Sequence, residues 1–251
     1  MIERAVILAA GLGLRLKPLT DGAPKCLTEV NDVPILYNAL NNLSSVGIGT
    51  CTIVVGYLSS FIRRTVGNRF EDVRIRYIEN ELYRKTNDMY SLWLARREVE
   101  EGALIIEGDI FFRSLTLRRA LDLAGGRSCY LAGKYDGSRN EILIETDSDM
   151  RILTLKVLQK RGTSPGKARY MSSGLLIIQP SYGRGLSRWL SQSVQNGQVD
   201  VLFDRIIAEH VGETPLYVCE IDHAEWVEID TPGDLVKAEQ TFPRIPSRSS
   251  L

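Results

Sequence analysis

The chain has 251 residues, 44% hydrophobic and 25% charged, and its 31 basic and 31 acidic side chains cancel to a formal charge of zero. That length suits one sizeable domain, and the charge balance removes any global electrostatic case for nucleic acid or an anionic membrane surface. Two histidines exclude a multi-histidine metal centre, and four cysteines without paired spacing read as small buried hydrophobes in a reducing compartment.

In chain order, Ala5-Val6-Ile7-Leu8-Ala9 is apolar without alternation, as expected of a strand covered on both faces. A glycine-containing loop follows and closes at Pro24-Lys25. Residues 33–46 carry apolar positions at helical spacing and stop at Gly47, a natural helix-ending residue. Residues 50–55 read as a strand, 57–66 as a helix and 73–78 as a third strand. Residues 87–98 form a helix with Asn87 or Asp88 placed to cap it, and 103–107 form a buried strand ending in Gly108-Asp109. A helix over 114–123, capped by Ser114, completes this half.

After Gly126 the texture changes. Residues 128–132, 141–145, 151–156 and 171–178 read as strands, with 162–167 a flexible excursion between two of them. Helices are expected over 184–195 and 199–210, and late strands over 218–221 and 226–229. Pro232 opens a last helix, and residues 241–251 form a flexible tail. The alternation of strands and helices implies a Rossmann-like, mostly parallel mixed sheet with helices on both faces. One domain over 1–240 is expected, divided into halves at 126 and 127. No apolar run approaches about 20 residues and no signal-like segment precedes the first strand, so a cytoplasmic, non-membrane protein is expected.

The loop after the first strand carries the strongest chemical signal. Gly11 and Gly13 let the backbone turn and bring N–H groups close to an anion, while Arg15 and Lys25 supply two cations. The P-loop string Gly-x-x-x-x-Gly-Lys-Ser/Thr is absent, and the dinucleotide fingerprint fails because Leu16 stands where its third glycine belongs. Leu8-Ala9-Ala10-Gly11-Leu12-Gly13-Leu14-Arg15 followed by Pro24-Lys25 instead resembles the signature of the sugar-1-phosphate nucleotidyltransferase superfamily. The resemblance implies a nucleotide held by Leu8, Ala9, Ala10, Gly11, Gly13, Arg15 and Lys25. The 1–126 half is then the nucleotide-binding half and 127–240 the acceptor half.

Two acidic strings complete the pattern. Glu107-Gly108-Asp109 lies at the carboxyl end of a buried strand, where open α/β sheets bind ligands; the bland alternative is a solvated turn. In Glu228-Ile229-Asp230-Thr231-Pro232, alternation puts Glu228 and Asp230 on one face, although Asp-Thr-Pro is also an ordinary helix-capping string. The superfamily resemblance implies that Asp109 and Asp230 hold Mg²⁺. Lys134 and Lys156 are its candidates for a contact to the acceptor phosphate.

Asn87-Asp88-Met89-Tyr90-Ser91-Leu92 resembles the phosphocholine and 2-aminoethylphosphonate cytidylyltransferase branch, and Glu107-Gly108-Asp109 is more similar to its phosphonate members. The implied activity is transfer of CMP from CTP to a small phosphorylated or phosphonylated amine or alcohol. Arg15, Lys25, Asp109 and Asp230 are the expected catalytic residues. Asn87, Asp88, Tyr90, Ser91, Glu107 and Glu228 are the expected acceptor contacts. A quaternary ammonium would ask for aromatic faces, for which Tyr90, Trp93, Tyr170 and Trp226 are candidates. Two alternatives stay open: a hexose-1-phosphate uridylyl- or thymidylyltransferase, and a nucleotide-binding regulatory relative without chemistry. CTP and the acceptor are the expected partners, and a homodimer is compatible with the sequence.

Overall fold

The computed structural model describes residues 2–137, 142–158 and 166–244. The expected strand start at Glu141, most of the 162–167 excursion and the end of the expected tail fall outside them. The first half runs through β1 (Arg4–Ala9), a short hairpin of β2 (Glu29–Val30) and β3 (Val33–Pro34), α1 (Ile35–Ser45), β4 (Thr50–Val55), α2 (Ser59–Val66), β5 (Arg69–Phe70) and β6 (Val73–Glu79). It continues with α3 (Asp88–Leu94), α4 (Arg96–Glu100), β7 (Ala103–Glu107), β8 (Ile110–Phe112) and α5 (Ser114–Ala124). The second half holds β9 (Cys129–Lys134), β10 (Ile142–Thr146), β11 (Ile152–Val157), β12 (Tyr170–Ile178), α6 (Pro180–Gln195) and α7 (Phe203–Glu209). It closes with β13 (Tyr217–Glu220), β14 (Trp226–Glu228) and α8 (Pro232–Thr241).

The main sheet runs β11-β10-β12-β7-β1-β4-β6-β5, with β9 on β12 and β13 on β9. β7, β1, β4 and β6 are mutually parallel, whereas β12 runs antiparallel to β7. The chain therefore builds outward from β1 through β4 and β6, then returns to place β7 on the opposite side of β1. Such a reversal opens a crevice at the carboxyl ends of the two strands. The loops after β1 and β7 emerge there together.

Alternate residues of β1 serve two cores. Ala5, Ile7 and Ala9 pack with Leu36, Leu40 and Leu43 of α1, Ile62 of α2 and Leu117 of α5. Val6 and Leu8 pack with Met89 and Leu92 of α3, Val99 of α4, Leu186 and Leu190 of α6 and Phe203 of α7. This two-sided burial is why the strand lacks polar alternation. A third, smaller core joins Leu16, Val30, Ile35, Phe111, Val227, Ile229, Ala238 and Phe242. It anchors the loop after β1, the β14 end and α8 against one another.

Several elements depart from the sequence expectation: α6 begins at Pro180 rather than 184, and the short strands β2, β3, β5 and β8 were not expected. The helix expected over 87–98 is interrupted at Ala95, and the Arg96 guanidinium donates to the Trp93 carbonyl (3.1 Å) where a continuous helix would use that acceptor internally. The helix expected over 199–210 begins only at Phe203, because the preceding segment docks on α3: Asn87 N donates to Val199 O, and Phe203 N donates to Asp88 Oδ1 at 2.9 Å. Ser114 is the first helical residue of α5 rather than its cap, a position held by Arg113. All four cysteines are buried and free, as their spacing suggested. Among the described residues, no helix is long and apolar enough to cross a membrane.

Candidate active site

The loop leaving β1 turns through Gly13, whose φ of 63° lies in the left-handed region that glycine tolerates. A Cβ at Gly13 would come within 2.9 Å of the Lys25 Cβ, so the turn and the lysine stem fit only in its absence. Thr20 Oγ1 donates to the Gly13 carbonyl (2.8 Å) and holds the turn shut from the other side. A Cβ at Gly11 would meet nothing within 4 Å and would project into open cavity space. Cys26, beside the lysine, is an inert packing residue: burial pushes its thiol up to about 12.

At the next strand, Gly108 N donates to Leu8 O at 2.9 Å, and a Cβ at Gly108 would collide with that same oxygen. This contact sets the Glu107 and Asp109 carboxylates against the β1 loop. Asp230 arrives from the junction of β14 and α8, where Thr231 and Asp234 form a capping box. Ile229 N donates to the Asp109 main-chain oxygen at 3.0 Å and ties the two acidic segments together.

The charges then interlock. Lys25 Nζ lies 2.6 Å from Asp109 Oδ2 and 2.5 Å from Asp230 Oδ1, and an Arg15 guanidinium nitrogen lies 2.8 Å from Asp230 Oδ2. Burial works against the Lys25 charge, but the Asp109 and Asp230 carboxylates outweigh it and hold its pKa above the ordinary lysine value. Asp109 Oδ1 is buried and makes no hydrogen bond.

A cavity of about 560 Å³ opens over this cluster, walled by the whole 8–15 segment, Lys25, Asp109 and Asp230. Asn80, Tyr83, Arg84 and Thr86 also line it. Against its acidic end lies a smaller cavity of about 50 Å³, lined by Asp88, Glu107, Asp204 and Glu228 with Ile142, Ser172, Gly174 and Leu202. Gly174 sits at a bulge in β12, with φ 76°, and a Cβ there would press on the Glu107 carboxyl carbon at 3.2 Å. Asp204, only 2% exposed, accepts from the Tyr130 hydroxyl at 2.6 Å. Burial, followed by the charge of Asp204, raises the pKa values of both Asp88 and Glu107 well above the carboxylate range.

The large cavity collects Leu8, Ala9, Ala10, Gly11, Gly13, Arg15, Lys25, Asn87, Asp88, Ser91, Glu107, Asp109, Glu228 and Asp230 from the sequence-derived set. Tyr90 is not among its lining residues. It lies one helical turn from Trp93 and packs against that ring, tilted by 33° with centroids 5.2 Å apart, while Trp93 Nε1 donates to Ser191 of α6. Trp93, Tyr170 and Trp226 also line neither cavity. Lys134 pairs with Glu220 at 3.3 Å, and neither it nor Lys156 reaches a cavity wall. Sequence reasoning missed Asn80, Tyr83 and Thr86, and it missed Asp204 and its Tyr130 partner. A buried acid inside an amphipathic helix was the one available signal for Asp204.

Residues 5–171 match the MobA-like NTP transferase domain. The chain belongs to this family. It is 27% identical over 241 residues to the choline-phosphate cytidylyltransferase of Streptococcus pneumoniae, spanning 94% of this chain and 97% of the relative. It is 26% identical to the 2-aminoethylphosphonate cytidylyltransferase of Lancefieldella rimae, spanning 95% of this chain and 92% of that one. The solved structure of the pneumococcal CTP:phosphocholine cytidylyltransferase superposes with a TM-score of 0.79 over 95% of this chain and 99% of its own, at 27% identity.

The donor set suits a hard divalent cation. Glu107, Asp109 and Glu228 each offer an oxygen, and these atoms lie within 4.8 Å of one another. Asp109 Oδ1 is buried without a hydrogen bond, and all the donors are carboxylate oxygens of the kind that bind Mg²⁺.

Proposed function

We propose that this nucleotidyltransferase moves CMP from CTP to a small phosphate or phosphonate carrying a primary ammonium group, releasing pyrophosphate. The observation that carries the reading is Asp109, paired with Lys25, seated between the glycine turn with Arg15 and a cavity lined by four carboxylates. A triphosphate fits the first end and a cationic head the second. Similarity to cytidylyltransferases named for choline phosphate and 2-aminoethylphosphonate supports the transfer of CMP to a small amine-bearing phosphate or phosphonate, and the second name supports the primary amine.

The reaction sets an anionic acceptor oxygen against the α-phosphorus of an anionic nucleotide, in line with the departing pyrophosphate. Positioning and charge neutralisation supply most of the catalysis in such a displacement. The amides of the 10–13 turn and Arg15 hold the leaving phosphates, and Lys25 neutralises the α-phosphate or the attacking oxygen. Asp109, with Glu107 and Glu228 of the same carboxylate cluster and Asp230 alongside once its cation partners turn to phosphate, would hold Mg²⁺, which when bound would supply positive charge to offset the phosphates. No general base is needed, because the acceptor phosphate is already ionised near pH 7. The nucleobase lies towards Asn80, Tyr83 and Thr86.

The head group follows from the lining. A quaternary ammonium is recognised by aromatic faces, and among the described residues no aromatic ring lines the smaller cavity. Carboxylates instead accept the three hydrogens of a primary ammonium. Pyrophosphate release, crossing CTP, UTP, dTTP and ATP against 2-aminoethylphosphonate, phosphoethanolamine, phosphocholine and glucose-1-phosphate, tests the assignment. Turnover is expected with CTP and the two primary amines. Preference for phosphocholine would overturn the head group alone, and turnover with glucose-1-phosphate would overturn the acceptor class.

A further inference from the structure

Lys25 occupies an unusual position for a residue expected to touch phosphate. Its ammonium is the cation shared by Asp109 and Asp230, at 2.6 and 2.5 Å, with the lysine side chain only 15% exposed. Asp230 has both oxygens engaged, Oδ1 by Lys25 and Oδ2 by Arg15. Asp109 gives Oδ2 to Lys25 and keeps Oδ1 without a hydrogen bond. A divalent cation approaching the Asp109–Asp230 pair finds one uncommitted Asp109 oxygen, with Glu107 and Glu228 the nearest further carboxylates, and meets the charge of the lysine that already bridges the pair.

We propose that Lys25 is a built-in stand-in for the divalent cation, and that the nucleotide's polyphosphate is what dislodges it. The proposal rests on the nucleotide reading given above. Triphosphate oxygens are better partners for an ammonium and a guanidinium than carboxylates that already share them, because each cation gains its own charge-assisted bonds. Once Lys25 and Arg15 turn to the phosphates, Asp230 Oδ1 is released beside Asp109, and both acids face the same point. The lysine stem, packed against the Gly13 turn, stays in place while the ammonium changes partner. Metal binding is thereby made conditional on nucleotide, and the coupling is reciprocal: the metal tightens nucleotide binding by the same factor. The acids stay charge-compensated before substrate arrives.

Mn²⁺ titration followed by electron paramagnetic resonance reads this without turnover or acceptor. The wild-type chain without nucleotide is expected to bind Mn²⁺ weakly. Lys25→Met and Lys25→Gln are expected to bind it about tenfold more tightly or better, also without nucleotide. Lys25→Arg, which keeps the charge, is expected to stay as weak as wild type. With α,β-methylene-CTP, the wild type is expected to gain Mn²⁺ affinity beyond that of the free analogue. Met and Gln variants that fold, by circular dichroism, yet bind Mn²⁺ no more tightly than wild type would overturn the proposal. Should neither variant fold, the intact chain decides: wild type binding Mn²⁺ equally well with and without nucleotide also overturns it. A failed search for an acceptor leaves these titrations standing, and their failure leaves the transfer assay untouched.

Discussion

At the β1 end, the cavity wall is a continuous run of chain, residues 8–15, that meets its ligand with backbone and two cations. At the opposite end, the wall is four carboxylates delivered separately by α3, β7, α7 and β14. The first end is wide and shaped by turns; the second is about 50 Å³ and shaped by where helices dock. The nucleotide end therefore depends on glycines that permit close approach, and the acceptor end on charge. Mutations should separate the two.

Asp109 stands where the ends meet, so its loss should harm both substrates. Asp109→Asn keeps the shape and removes the charge, and turnover should fall about a hundred- to a thousandfold, as when a group that stabilises transition-state charge is removed. Steady-state kinetics on a variant with an unchanged thermal melt checks this. Near-normal turnover would dismiss the acid pair from the chemistry.

Asp204→Asn should distinguish the ends. The substituted amide would still accept from the Tyr130 hydroxyl but would bring no charge to the ammonium, so the acceptor KM should rise about tenfold, the scale of a lost charged hydrogen bond. The KM for CTP should hold. An equal change in both would place the acceptor elsewhere.

The same contrast explains what the sequence revealed. Residues 5–15 pack strand, turn and cation into one continuous string, because local geometry alone makes an anion site there, and Lys25 follows close behind. Asp109 and Asp230 were legible because each stands at the end of a strand, where the topology places ligands. Asp204 was not legible: its helix had to shorten to Phe203 and dock on Asp88 before that acid reached the cavity. Tyr90 lines neither cavity for a related reason. Its spacing from Asn87 placed it on the right helix, but its face was decided by Trp93 and α6, a tertiary contact outside the string.

The smallest expected effect concerns the acidic end before any ligand binds. Asp88 has its pKa raised first by burial and then by the neighbouring Asp204 charge. In the unfolded chain the same carboxyl titrates near its ordinary value of about 4. Between that pH and the raised folded value, the folded state holds a proton that the unfolded state has released. Stability is therefore greatest at the acidic side of this window and falls as pH rises through it. Asp88→Asn keeps the Oδ1 acceptor for Phe203 N and removes the titration. Thermal melts from about pH 5 to pH 8 should show the wild type losing stability with rising pH and the Asn variant losing less. Adding 2-aminoethylphosphonate with CTP should narrow the difference, since an ammonium beside Asp88 favours its ionised form. Parallel pH profiles for the two proteins would mean that Asp88 serves only to hold the start of α7.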